Sequence, residues 1–262
     1  RFILMENFNY KYLSNYHNDI LNVNNEPYGH CATNKFFPEN IIKNLSKSFK
    51  FPDSIRPNTD PLFQKTKIGL NKYDLFPLEI KKSIDYLNSK EFINILENKF
   101  KIKKLLPDPS LFGGGMHESR NGGYLKIHSD FIFIRQRNLK RMLNLLIYLN
   151  DGWEEKWGGA IELWDQKMKN NFLKIYPMIN NAVIFRTDTE SNHGFPDPIK
   201  CPPDIGRKSL ALYYYVKDNS FFKRTKYFYA RWKKRPGIDE PKFGDNRNFL
   251  ERFKNNFLYR FK

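Results

Sequence analysis

The chain reads as mainly β with supporting N-terminal helices, an α+β protein whose strands form a jelly roll. Two observations carry that reading. Between Leu111 and Val216 lie six short segments rich in β-branched and aromatic residues, separated by Gly, Asn, Asp or Pro. Before Phe100 the apolar residues instead recur at helical spacing in three stretches. Six or more short strands suggest a double-sheet jelly roll, which closes over a ligand and protects its edges.

Residues 1–35 are rich in Asn and Tyr with little periodicity, and are expected to form an arm or a leading strand. Phe36-Phe37-Pro38 opens a helical segment to about Phe49, with Ile41, Ile42, Leu45 and Phe49 near helical spacing. The stretch FPDSIRPNTDP is loop, with three prolines among turn formers. Pro77 begins a second helix, with Ile80, Ile84 and Leu87 on one side, and Ser89 caps a third, whose Phe92, Ile95, Leu96 and Phe100 face inward. The expected strands are LFGGGMHES, GYLKIHSDF, RMLNLLIYLN, GAIELWDQ, NNAVIFRTD and KSLALYYYV. Residues 152–158 and 186–206 are the long connections, from which the walls of a site are often built. The expected organisation is therefore an arm and helical support over 1–110, a β core over 111–217, and a basic, aromatic C-terminal extension over 218–262.

A chain of 262 residues with 40% apolar and 28% charged content easily buries a core. No run of about 18 apolar residues occurs, so no membrane span is expected. RFILMENFNYKYL has too short an apolar run for a signal peptide. Cys31 and Cys201 lie far apart and belong to no motif, which argues against a disulfide framework and for a reducing, cytoplasmic setting. Of the net charge of +17, a large part sits at the C-terminus, where 13 Lys/Arg stand against 5 Asp/Glu between Asp218 and Lys262. Such a run is either a solvated lysine-rich face, the reading favoured here, or a surface for a polyanion.

The chemistry concentrates in GGYLKIHSDF. Residues i and i+2 of a strand share a face, so His128 and Asp130 can grip one metal ion together. His193, in SNHGFPDP, is the candidate third ligand. Two histidines and a carboxylate leave three adjacent positions open on an octahedral metal, the arrangement of non-haem Fe(II) oxygenases. Arg207 and Ser209 in GRKSLALYYYV also share a face, and arginine offers a two-pronged grip on a carboxylate. Asn144, Leu146 and Tyr148 share a face one strand away, as do Tyr213 and Tyr215 with Arg207.

With His-x-Asp, a distal His-Gly, Arg-x-Ser and the block NLLIYLNDGWEEKWGGAIELWD in this order, the chain resembles the Fe(II)/2-oxoglutarate-dependent dioxygenases, specifically the prolyl 4-hydroxylase-like group, over about 111–217. The resemblance implies a double-stranded β-helix. It also implies Fe(II) on His128, Asp130 and His193, 2-oxoglutarate as cosubstrate and O2 as oxidant, with an unactivated C–H bond of a prolyl or other amino-acid-type substrate hydroxylated. The intact carboxylate at 130 implies hydroxylation, because the related halogenases carry a small residue there. Arg207 is then expected to bind the distal carboxylate of 2-oxoglutarate, with Ser209 donating to the same group or serving as a plain strand serine. Tyr148 sits where the family places a tyrosine on the cosubstrate; a buried tyrosine with a backbone partner is the competing account, and Asn144 lines the same pocket. His117 stands where the group carries another tyrosine, and touches cosubstrate or substrate, or sits satisfied in the sheet. Tyr124 and Trp157 are the candidates to border the substrate, a small molecule or a peptide. An oxidative demethylase of nucleic acid is the second reading. That class usually carries a further arginine a few residues past the first, whereas this chain has Tyr213 six past Arg207. A non-catalytic jelly-roll binding module is the third, and it would need neither the ligand set nor the carboxylate anchor.

Overall fold

The computed structural model describes residues 8–55, 58–60, 64–134, 138–218 and 230–238. In chain order these form α1 (Tyr10–Ile20), β1 (His30–Thr33), α2 (Glu39–Ser48), β2 (Asn58–Asp60), β3 (Gln64–Leu70), α3 (Leu78–Leu87), α4 (Lys90–Phe100) and β4 (Leu106–Pro107). The core continues as β5 (Gly115–Ser119), β6 (Leu125–Ser129), β7 (Phe133–Ile134), β8 (Leu139–Tyr148), β9 (Ile161–Trp164) and β10 (Asn171–Ile175). It ends with β11 (Ala182–Arg186), β12 (Asn192–Phe195), β13 (Arg207–Lys217) and β14 (Arg231–Trp232).

The helices begin where local chemistry places them. Ser89 caps α4 by accepting a hydrogen bond from the amide of Phe92, and α2 and α3 each start directly after a proline. Residues 1–35 do supply a strand, β1, but the expectation of an arm or strand missed α1, a helix capped by Asn9. Its buried positions are Leu13 and His17, so a histidine occupies a core site that a search for apolar spacing passes over. The jelly roll is as expected, its strands running in the order β1-β11-β8-β13-β5-β3-β6-β12-β9-β10 through antiparallel pairs, without closing into a barrel among the described residues. Strand β3 joins the two halves, pairing with β5 from Lys67 to Leu70 and meeting β6 at Gln64↔Leu125.

Alternation along β8 and β13 decides which way each face looks. Leu143, Leu145 and Ile147, with Leu210, Leu212 and Tyr214, pack under the helices in the main core. Asn144 and Leu146, with Ser209, Ala211 and Tyr213, face a cavity on the other side. One irregularity breaks this rule. Tyr214 pairs with Leu143 but Tyr215 pairs with Arg141, so Met142 is an extra residue in β8. Such a bulge re-aims the side chain beside it. Arg141, which strict alternation would send toward the helices, is turned into the site instead.

Candidate functional site

His128 on β6 and His193 on β12 are cross-strand partners, with ring centroids 4.5 Å apart. Asp130 follows β6 directly and lies 3.5 Å from His128 Nε2 and 3.8 Å from His193 Nε2. Ligand atoms of all three lie within 4.8 Å of one another, and all three residues are buried in the site. Ligands at about 2.1 Å from a metal stand roughly 3 Å apart when adjacent, so only a small contraction is needed to hold an ion. Each histidine commits its Nδ1 to a backbone carbonyl two residues earlier, His128 to Lys126 and His193 to Ser191, both at 2.9 Å. That fixes the tautomer and leaves each Nε2 as a lone-pair donor toward the centre. Two neutral imidazoles and one carboxylate therefore fit a ferrous ion.

His193, expected in a long connection, lies on a strand of its own. Gly194 explains how that strand gets so close: a Cβ there would stand 2.7 Å from the carbonyl oxygens of both Leu125 and Lys126. Only glycine lets β12 lie against the irregular edge of β6.

Asp130 is held by a residue that the sequence did not single out. Arg141 Nη1 lies 3.1 Å from Asp130 Oδ2, and its guanidinium is stacked over the rings of Tyr213 and Phe131 at 3.5 and 4.1 Å. Burial by itself would raise the carboxyl group, but Arg141 and then the two imidazoles overcome it and hold Asp130 far below the ordinary carboxylate range. Burial, followed by His128, pushes His193 down to about 4. Asn144 approaches Asp130 with its amide nitrogen at 3.4 Å, so it adjoins the metal cluster as well as lining the cavity.

The anchor candidate, Arg207, is equally constrained. Its Nε donates to the Gly159 carbonyl at 2.6 Å and its Nη2 to the Tyr148 hydroxyl at 2.8 Å. Gly159 has φ +72°, and a Cβ there would stand 3.2 Å from Arg207 Cδ, which gives the Gly-Gly of the WGG block a physical reason. Ser209 lies beside Tyr148 on one side and His117 on the other in the strand register. His117 lies over Gly69, the next residue in that row, and faces the same cavity. Burial, then the Lys67 ammonium and more weakly Arg207, hold it well below the ordinary imidazole range.

The cavity of about 210 Å³ thus brings together His128, Asp130, His193, Arg207, Ser209, Asn144, His117 and Tyr124. Tyr148 reaches it through Arg207. Trp157 is not among its lining residues; it packs edge-on against Trp153 in a separate cluster with Phe195 and Ile199. The described part of the C-terminal extension contributes directly. Strand β14 pairs with β6, and Trp232 lies over the His128 ring at 4.9 Å. The rest of the 218–262 extension lies outside the described residues. Lys67 and Trp232 were not anticipated: β3 did carry a period-two signal in Ile68 and Leu70, whereas Trp232 had no local mark to separate it from its basic neighbours.

The family model of the 2OG-Fe(II) oxygenase superfamily matches residues 114–215, the stretch that carries this cluster and its anchor. Over these residues the chain carries a 2OG-Fe(II) oxygenase domain. Its cofactors are those of the superfamily, ferrous iron and 2-oxoglutarate. The fold of the oxygenase is similar to that of a prolyl hydroxylase from Trichoplax adhaerens, solved with a peptide fragment of the hypoxia inducible factor oxygen degradation domain, at 18% identity and TM-score 0.51 over 79% of this chain and 90% of that one. A prolyl 4-hydroxylase from Phytophthora capsici matches at 19% identity and TM-score 0.50, over 79% of this chain and 65% of that one. One from Pseudomonas putida matches at 15% identity and TM-score 0.48, over 79% and 98%. No curated protein matches the oxygenase in sequence. Among its described residues no helix is long and apolar enough to cross a membrane.

Proposed function

We propose that this oxygenase hydroxylates an unactivated C–H bond of a prolyl or other amino-acid-type substrate, converting R–H, 2-oxoglutarate and O2 into R–OH, succinate and CO2. What carries the reading is one cavity that holds an intact two-histidine, one-carboxylate cluster and a buried arginine from a different part of the sheet. The likeness in fold to prolyl hydroxylases supports the choice of substrate class.

In this reading His128, Asp130 and His193 hold the iron, and Arg207 takes the distal carboxylate of 2-oxoglutarate. Ferrous iron with 2-oxoglutarate and O2 supplies the oxidising power. The protein's part is orientation and exclusion of water. The Nδ1 bonds of the two histidines fix which nitrogen faces the metal. Arg207, pinned by Gly159 and Tyr148, presents its remaining N–H groups to the cavity without having to reorganise. Trp232 and Phe195 form part of the apolar wall.

Anaerobic addition of Fe(II) and then 2-oxoglutarate to the metal-free protein is expected to produce a weak visible charge-transfer band. Asp130→Ala and Arg207→Ala should each weaken it. A folded, metal-free wild type that develops no band would remove the reading and leave a binding module on an inherited jelly roll.

A further inference from the structure

The charges around the cavity do not cancel. Asp130 is offset by Arg141, and a ferrous ion is offset by the 2-oxoglutarate dianion. Arg207 and Lys67 remain, both facing the cavity. Lys67 lies on β3 opposite Ser119, and Ser119 lies opposite Arg207, so the two cations share one cross-strand row. Neighbouring strands run about 4.8 Å apart, which brings two long basic side chains over a common space. No carboxylate among the described residues pairs with Lys67. Its ammonium is pushed down to about 8, first by burial, with Asp130 opposing and Arg207 adding to the effect. Uncompensated charge in a half-buried cavity is costly unless something arrives to meet it.

We infer that Lys67 is a substrate-recognition residue, and that the molecule hydroxylated here carries an anionic group, of carboxylate type, that is received by Lys67 beside the iron and cosubstrate. The inference rests on the iron and 2-oxoglutarate reading above and adds the charge of the substrate to it. The cavity limits what enters. At about 210 Å³ it is smaller than the roughly 300 Å³ at which pockets for drug-sized ligands begin. Only a small acid, or a single acidic or carboxyl-terminal element of a peptide, fits beside the cosubstrate. With Arg207 on the cosubstrate carboxylate, a neutral peptide backbone would leave the Lys67 ammonium without a counter-charge.

The test uses acetate as the probe and acetamide, its neutral isostere, at matched ionic strength. Each is titrated into the anaerobic Fe(II)·2-oxoglutarate protein while the charge-transfer band is followed, in wild type and in Lys67→Met. Acetate is expected to shift the band saturably in wild type while acetamide does not. Lys67→Met should weaken the acetate response about tenfold or more while keeping affinity for 2-oxoglutarate within about twofold. The inference is overturned if acetate has no effect, if it bleaches the band by displacing 2-oxoglutarate, or if Lys67→Met responds like wild type. It is also overturned if Lys67→Met loses 2-oxoglutarate affinity about tenfold, since the lysine would then belong to the cosubstrate. Absence of any band in wild type before acetate is added is a different result, the failure of the iron and cosubstrate reading itself.

Discussion

Replacing Arg141 by methionine would keep the side chain's bulk between Tyr213 and Phe131 but leave Asp130 without its fixed cation. Opposite charges about 4 Å apart at an effective dielectric of 20 attract by about 4 kcal/mol, and removing one partner of a buried pair typically costs about 3–5 kcal/mol. The metal-free protein should therefore lose at least about 3 kcal/mol of stability. A divalent ion bound at Asp130 would supply the missing positive charge, so the metal-loaded variant should lose no more than about half of that. Metal should consequently stabilise Arg141→Met more than wild type, by about 1.5 kcal/mol, equivalent to roughly tenfold tighter binding. Urea unfolding of chelator-treated and Mn(II)-loaded protein measures both quantities, and Mn(II) avoids oxidation during the experiment. Arg141→Lys, which restores the charge but not the stacked plane, should recover part of the loss. If metal-free Arg141→Met unfolds within about 1 kcal/mol of wild type, or metal stabilises it no more than wild type, then Arg141 does not hold Asp130 as described.

Three further outcomes follow from the geometry. Gly159→Ala forces a side chain into φ +72° against Arg207 Cδ, a strain of about 1–2 kcal/mol, and should raise the Kd for 2-oxoglutarate about tenfold in a spectroscopic titration. Gly194→Ala must push β12 off the carbonyls of β6 and carry His193 away from His128; metal affinity by competition with a chelator should fall about 10- to 100-fold, and unchanged affinity would show that the close approach is not needed. Burial lowers His17 from 6.5 to about 4, so the unfolded chain takes up this proton first. Its contribution is complete above about pH 6.5 and is lost as the pH falls toward 4, amounting to about 2 kcal/mol by pH 5. A urea series at pH 7.5 and 5 should show a pH-dependent loss that is smaller by that amount in His17→Phe.

The six strong strands and helices α2 to α4 were legible in the sequence because each depends on local spacing, and His128, Asp130 and His193, the candidate ligands, do come together in space. Period-two alternation put Asn144 on one face with Leu146 and Ser209 on one face with Arg207, and the i, i+2 rule put His128 beside Asp130. What escaped were features whose cause lies elsewhere in the chain. Helix α1 buries His17 against Tyr86 and Phe36, a core position that only the partners make apolar. Strand β12 pairs because Gly194 meets carbonyls of β6 more than 60 positions away in sequence. Arg141 reaches Asp130 through a bulge, and bulges are set by the register of the partner strand, here β13.

By itself the sequence determined a jelly roll, its candidate ligands and the order in which they come along the chain. Only the tertiary structure decided the charge balance of the site. Arg141, Lys67 and Trp232 come from three strands that do not adjoin one another in sequence. Electrostatic energy depends on separation and burial in space, and neither can be read from spacing along one strand.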